Sequence, residues 1–372
     1  MEKIRFDNFI KLNRGFDLPD SQIEEGMYPV VASTNIKAYH NTYKVDGPMV
    51  VTGRSGSLGS VQYIDEKCWP LNTALYVKDF KGNNPRYVYY YLKTMHLEQY
   101  NAGAGVPTLN QNHLHSLKIN IHDKAEQARV SSILSVYDDL IEKNNRKIAI
   151  LREMAEEIYK EWFVRRKSNQ WPIVKMREFG YQAESGKRPK GGIDDSLSEG
   201  VPSLGAEVID KLGMFDFSNV KLVPEEFYQS MKKGIGKDKD ILLYKDGAYI
   251  GKVTLFMDNF PYEKYAVNEH VFLIRANNKL YQYYLYFTLN QQQYFTQMQN
   301  LNRNAAQPGL TPSDIDIVKL CKPDEEIIKK FNRVVEPMLH SIFTIAKQNN
   351  ILKTQRDLLL PRLMSGKLEV KA

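Results

Sequence analysis

The chain has 372 residues, 42% of them hydrophobic, which is more than one core usually organises, so two globular domains and connecting segments are expected. No apolar run approaches the ~20 residues needed to cross a bilayer, which argues against a membrane partner. The formal charge of +7 is spread along the chain instead of forming a tail, so any basic surface has to come from folding.

Residues 1 to about 122 read as mixed α and β. IRFDNFIKL is strand-like, and Gly15, Pro19, Gly26 and Pro29 then punctuate short extended pieces. MVVTGRSGSLGSVQYI and LNTALYV are rich in β-branched residues and read as neighbouring strands joined through a turn between Asp65 and Pro70. PRYVYYYLKTMHLEQY has helical spacing. NAGAGVPTLNQNHLHSLKINI passes through a Gly-rich loop and a short turn at Asn110 to a strand at Leu117 to Ile121.

From Lys124 to Arg166 one face repeats at alternating steps of three and four, with no Gly or Pro. Its seam is Val130, Leu134, Tyr137, Ile141, Asn144, Ile148, Leu151, Ala155, Ile158 and Trp162, the pattern of a coiled-coil helix. At about 1.5 Å per residue it is roughly 60 Å long, which suits a spacer better than a core helix. A second seam runs through Ile328, Phe331, Val335, Met338, Ile342, Ile345, Asn349, Leu352, Leu359 and Leu363, with Arg356 at one step. A lone seam Asn fixes register at some loss of stability, so Asn144 and Asn349 suggest that the helices pair antiparallel, through Leu134, Ile141, Asn144, Ile148, Ile345, Asn349 and Leu352. Alternatively, each Asn faces solvent at a helical irregularity. Pro337 inside the second seam and Pro361 near its end predict a bent helix, or one that starts properly only after Pro337.

Between the two seams, parts of the first half recur. YKDGAYIGKV parallels TGRSGSLGSV, VNEHVFLI parallels LNTALYV, and LYQYYLYFTLNQQQYF parallels PRYVYYYLKTMHLEQY. Matched residues such as Asn72 and Asn268, Pro107 and Pro308, Leu109 and Leu310, and Arg152 and Arg356 lie 196 to 204 positions apart. That period indicates a duplicated domain-plus-helix unit, because solenoid repeats run about 20 to 50 residues. Lys175 to Ile241 has only a loose counterpart in the first half. The expected fold is therefore α+β: two mixed α/β domains separated by two long antiparallel coiled-coil helices, with a pseudo-twofold internal repeat. The boundaries are 1–122, 123–167, 168–322 and 323–372.

Catalytic patterns are missing. SGKRPKGG and MSGKLEV lack the spaced glycine of a phosphate loop, GRSGSLG is followed by strand instead of helix, and no Gly-x-Ser-x-Gly or Asn-Pro-Pro-aromatic motif occurs. His113 and His115 have no acidic or thiol cluster beside them, so no metal is expected. Cys68 and Cys321 are far apart, and with no secretory leader ahead of them a reduced, cytoplasmic setting is expected. Loop residues Arg54, Ser55 and Ser57 in one half, and Lys187, Arg188, Lys190, Lys232, Lys233 and Lys237 in the other, can neutralise phosphates or reach base edges of double-stranded DNA. Taken singly, each reads better as a solvated surface group. The 23 tyrosines suit core and helix faces better than base-stacking platforms.

GKRPKGGI with GVPSLGAEVI, GMYPVVAS, the central EQARVSSILSVYDDLIEKNNRKIAILREMAEEIYKEWF and the terminal KQNNILKTQRDLLLPRLMSGKLEV together resemble the specificity subunit (HsdS) of bacterial and archaeal type I restriction-modification systems. The resemblance spans essentially the whole chain. It implies a non-catalytic subunit in which two target recognition domains read the 5′ and 3′ parts of a split DNA sequence, held apart by the paired helices. It also implies two modification (HsdM) subunits that bind S-adenosylmethionine and flip the target adenine, and two restriction (HsdR) subunits that use ATP and Mg²⁺, so that no cofactor sits on this chain. Two other readings stay open: a protein-interaction scaffold whose recognition domains have degenerated and bind no DNA, and an enzyme in its own right. If the helices set the spacing, the half-sites lie about one helical turn apart, roughly 35 Å or ~10 base pairs between centres. Inserting four residues after Asn145 is then expected to lengthen the tolerated gap and leave both half-site sequences unchanged; an altered half-site with the old gap is the contrary result.

Overall fold

A computed structural model describes residues 1–194, 196–301 and 309–369. Asp195, the stretch from Asn302 to Pro308 (the match proposed for Pro107 included) and the stretch from Val370 to Ala372 lie outside the described residues. The chain divides into two compact units, Met1–Ile141 with Leu352–Ala372, and Glu142–Ile351.

The first unit begins with β1 (Glu2–Arg5), α1 (Phe6–Phe9) and β2 (Lys11–Arg14). The segment read as one strand thus contains a helical turn, because Phe6 and Phe9 are three apart and both fully buried, which a strand of period two does not allow. Strands β3 (Tyr28–Val31), β4 (Ile36–His40), β5 (Met49–Gly53), β6 (Val61–Ile64), β7 (Trp69–Pro70) and β8 (Ala74–Asp79) follow. Helix α2 (Pro85–Thr94) has Pro at its first position and Asn84 as N-cap, accepting from Tyr87 N. The turn expected at Asn110 is a short helix, α3 (Gln111–Ser116), capped by the Asn110 side chain, and β9 (Lys118–Ile121) leads into α4 (Lys124–Lys160). A four-stranded antiparallel sheet has the order β2-β8-β5-β6, a three-stranded one the order β4-β3-β7 with β3 and β7 parallel, and β1 pairs with β9.

The second unit repeats this order. It contains β10 (Ile173–Lys175), α5 (Met176–Phe179), β11 (Tyr181–Ser185), β12 (Val201–Leu204), β13 (Lys221–Val223), α6 (Glu225–Ser230), β14 (Asp240–Tyr244), β15 (Val253–Phe256), β16 (Ala266–Val267) and β17 (Val271–Ala276). Helices α7 (Gln282–Leu289), α8 (Gln292–Leu301) and α9 (Pro312–Asp316), strand β18 (Lys319–Cys321) and helix α10 (Glu325–Met364) complete it. Its sheets are ordered β11-β17-β14-β15, β13-β12-β16 and β10-β18, strand for strand the arrangement of the first unit. The region from Lys175 to Ile241, which looks only loosely matched in sequence, therefore supplies the counterparts of β2, β3 and β4. Side chains facing a shared core changed while the backbone ladder stayed.

Within each unit the long helices run antiparallel. In the first, Val130 and Leu134 share one buried cluster with Leu360, Leu363 and Met364, and Arg356 pairs with Asp138, which also accepts from Tyr90 Oη at 2.6 Å. In the second, Phe163 and Phe331 meet edge to face at 5.0 Å, and Asn144 Nδ2 donates to Asn349 Oδ1 at 2.8 Å. Asn349 Nδ2 in turn donates to Asn145 Oδ1 at 2.9 Å. Asn349 is buried and has both ends of its amide satisfied, so it is tolerated in the seam without an unpaired polar group.

Pro337 does not delay α10, which is one helix from Glu325 onwards. An interior proline costs about 3 kcal/mol. Burial of Val335, Leu339, Ile342 and Phe343 on the same face, at about 1.5–3 kcal/mol each, outweighs that. Replacing both Asn144 and Asn349 by Leu is expected to raise the thermal midpoint and to loosen register; unchanged values for both in calorimetry and in crosslinking between the helices speak against a register role.

Candidate nucleic-acid interface

The same backbone closure recurs at one end of each unit's four-stranded sheet. In the first, Arg54 N donates to Thr73 O at 2.8 Å and Leu109 N donates to Arg54 O at 2.8 Å. In the second, Lys245 N donates to His270 O at 3.0 Å and Leu310 N to Lys245 O at 2.9 Å. Isolated bridges join Ser55 to Thr108 and Asp246 to Gly309. Arg54 and Lys245 are therefore structural counterparts.

Gly15 and Gly186 occupy matching close approaches. A Cβ would lie 2.2 Å from Leu71 O at Gly15 and 1.6 Å from Val267 O at Gly186, so neither position admits a side chain without moving backbone. Gly234 rests against Gly186, where a Cβ on it would lie 2.3 Å from Gly186 Cα. This contact brings the loop bearing Lys187, Arg188 and Lys190 beside the one bearing Lys232 and Lys233. All five cations are exposed. Lys187 Nζ stands 5.5 Å from the centre of the Phe227 ring.

Lys237 belongs elsewhere. Its N donates to Asp240 Oδ2 at 2.8 Å, at the opposite end of β14 from Lys245. Asp240 is almost fully buried and is gripped by Arg275, whose Nη2 lies 2.7 Å from Oδ2. Burial raises the Asp240 carboxyl above the ordinary carboxylate range, although Arg275 pulls the other way. In the first unit, Arg54 is half-buried, with Nη1 donating to Asn72 O at 3.3 Å, Ser55 is half-buried, and Ser57 is exposed. Ser33 Oγ donates to Thr73 O at 2.7 Å and fixes the same turn.

Four residues at this end of the second unit were not singled out from sequence: Lys245, Asp246, Glu269 and His270. Glu269 Oε1 lies 3.3 Å from Arg188 Nε and 3.4 Å from His270 Nε2. His270 Nδ1 stands 3.0 Å from Asp246 Oδ2. The backbone carbonyl of Glu269 accepts from Lys245 Nζ at 3.0 Å and from Ser185 Oγ at 3.2 Å. The match of VNEHVFLI with LNTALYV sets Glu269 and His270 opposite Thr73 and Ala74, one residue out from the structure, where they stand opposite Asn72 and Thr73. Lys245 was hidden because the match of YKDGAYIGKV with TGRSGSLGSV is one residue out at the turn.

His115 and Cys68 have structural surroundings. His115 Nε2 accepts from Leu12 N at 3.0 Å, and burial pushes its pKa down. The Cys68 thiol is buried and pushed up to about 12. Among the described residues no group of three His, Cys, Asp or Glu is placed to hold a metal, and no helix is long and apolar enough to cross a membrane. Because the folded pKa of His115 lies below the ordinary 6.5, charging it opposes folding. Stability is therefore complete above about pH 6.5 and declines as pH falls below it. His122, also pushed down by burial, adds to the same slope. His115→Gln is expected to flatten the fall in urea midpoint between pH 7.5 and 5.5; an unchanged slope contradicts this.

Comparison with known proteins gives a consistent result. The sequence model for the type I restriction modification DNA specificity domain matches residues 1–152 and again 169–353. The type I restriction enzyme MjaIX specificity subunit of Methanocaldococcus jannaschii is 28% identical over 313 residues, 77% of this chain and 69% of that protein. From the same organism, the MjaVIII specificity subunit is 22% identical over 404 residues, covering 100% of this chain and 93% of its own length. The HindI specificity subunit of Haemophilus influenzae is 23% identical over 329 residues, 70% of this chain and 71% of that protein. Among solved structures, the type I restriction-modification S subunit from M. genitalium shares the fold, with a TM-score of 0.63 at 18% identity over 100% of this chain and 96% of its own.

Proposed function

The chain belongs to the type I restriction-modification DNA specificity family and is a specificity subunit, the component without catalysis of its own, and from that premise we propose that it reads a bipartite duplex target with one half-site per domain. The duplication supports this most directly. The same family match and the same strand order occur twice, and each copy ends in a loop-bearing sheet edge of similar backbone geometry but different side chains. Two equal frames with unlike edges suit two half-sites of unlike sequence.

In this reading the recognition domains are residues 1–122 and 168–322, and the spacers are 123–167 and 323–372. Lys187, Lys190, Lys232 and Lys233 take phosphates, which position the domain without specifying sequence. The spacers and their surroundings receive two modification subunits, which carry S-adenosylmethionine, and two restriction subunits, which carry ATP and Mg²⁺. The complex acts on host DNA in the cytoplasm.

Methylated adenines in DNA from cells carrying the modification subunit, with and without this chain, provide the test. A split motif methylated only when the chain is present is the expected outcome. No motif from an assembled complex favours the scaffold with degenerate recognition domains.

A further inference from the structure

The second domain carries two kinds of charged group at its closing edge. Exposed ammonium groups of Lys187, Lys190, Lys232 and Lys233 form a basic rim. Beside it, Asp246 and Glu269 flank His270 at 3.0 and 3.4 Å. Phosphates are repelled by carboxylates, so the DNA backbone belongs on the rim. What a carboxylate can accept from a duplex is a hydrogen bond, and in the major groove the base groups that donate are N4 of cytosine and N6 of adenine.

Two observations set this cluster apart from ordinary surface ion pairs. Glu269 Oε2 is enclosed and, among the described residues, accepts no hydrogen bond, although its partner oxygen faces both Arg188 and His270. The Glu269 side chain as a whole is 40% exposed, so an oxygen with no protein donor can take a hydrogen bond from a ligand. The frame, moreover, does not require these groups. The first domain closes the same turn with Asn72 and Thr73 where Glu269 and His270 stand, and there Arg54 Nη1 donates to the Asn72 carbonyl as Lys245 Nζ donates to that of Glu269 here.

Resting on the bipartite reading above, we propose that Asp246 and Glu269, steadied by His270, are the acceptors with which the second domain reads the exocyclic amino group of an adenine or cytosine in its half-site. Arg188, whose side chain is 40% exposed, covers Glu269 in the free protein and swings aside as the base edge arrives.

The test uses the full chain assembled with its modification subunits, binding duplexes in which each adenine of the second half-site is replaced in turn by purine and each cytosine by pyrimidin-2-one, analogues lacking the amino group. One position is expected to weaken binding by about tenfold to a hundredfold. Complexes with Asp246→Asn or Glu269→Gln are expected to lose that sensitivity, and the identity of the position tells adenine from cytosine. If a variant fails to assemble, the wild-type measurements decide alone. A Lys232→Gln/Lys233→Gln complex is expected to bind every duplex more weakly, with a shallower salt dependence and the same base preference. A defined target with no amino-sensitive position, or variants that keep the sensitivity, overturns this inference alone. A wild-type complex that prefers no sequence overturns the bipartite reading and this inference with it.

Discussion

The antiparallel pairing of α4 with α10 is the constraint on which the rest of the structure depends. The first unit is not a continuous stretch of chain, whereas the second, Glu142–Ile351, is. The first unit closes its core with Leu360, Leu363 and Met364, more than two hundred residues downstream of Val130 and Leu134 against which they pack. In the second, Ile148 and Ala155 of α4 and Phe163 just beyond its end share a core with Phe331, Val335 and Ile342 of α10. Each helix contributes to both units, so the polar seam positions have to specify register where an apolar seam allows slippage. At these positions Asn349 bonds to Asn144 and Asn145 in one unit, and Arg356 pairs with Asp138 in the other.

On this shared frame the two closing edges carry different side chains. The ladders, the capped turn and the glycine approaches at Gly15 and Gly186 recur because backbone hydrogen bonds and close contacts admit few substitutes. Side chains that point outward from the closing turn face no such limit. Asn72 and Thr73 in one copy stand where Glu269 and His270 stand in the other, and Arg54 in one where Lys245 stands in the other. Specificity that lives in outward groups on a fixed turn can change without refolding the domain.

Much of the organisation was legible from residue patterns. The heptad spacing, the repeat of about two hundred residues and the β-branched runs identify two long helices and two α/β domains, because burial on one face imposes period on the sequence. Local details were misread where short range and long range compete. Phe6 and Phe9 turn an apparent strand into a helical turn, Asn110 caps a helix instead of a simple turn, and Pro337 is carried within a helix whose buried face outweighs its local penalty.

By itself the sequence determined the fold class, the duplication, the family and the basic character of the loops, all of which depend on composition and on spacing along the chain. Only the tertiary structure decided which of those loop residues lie together. It placed Lys187 to Lys190 beside Lys232 and Lys233 through the contact of Gly186 with Gly234, moved Lys237 to the far end of β14, and joined Arg188, Glu269, His270 and Asp246 into one network. Hydrogen bonds and ion pairs depend on distances of a few ångströms between groups as much as eighty residues apart, and those distances exist only once the sheets are paired.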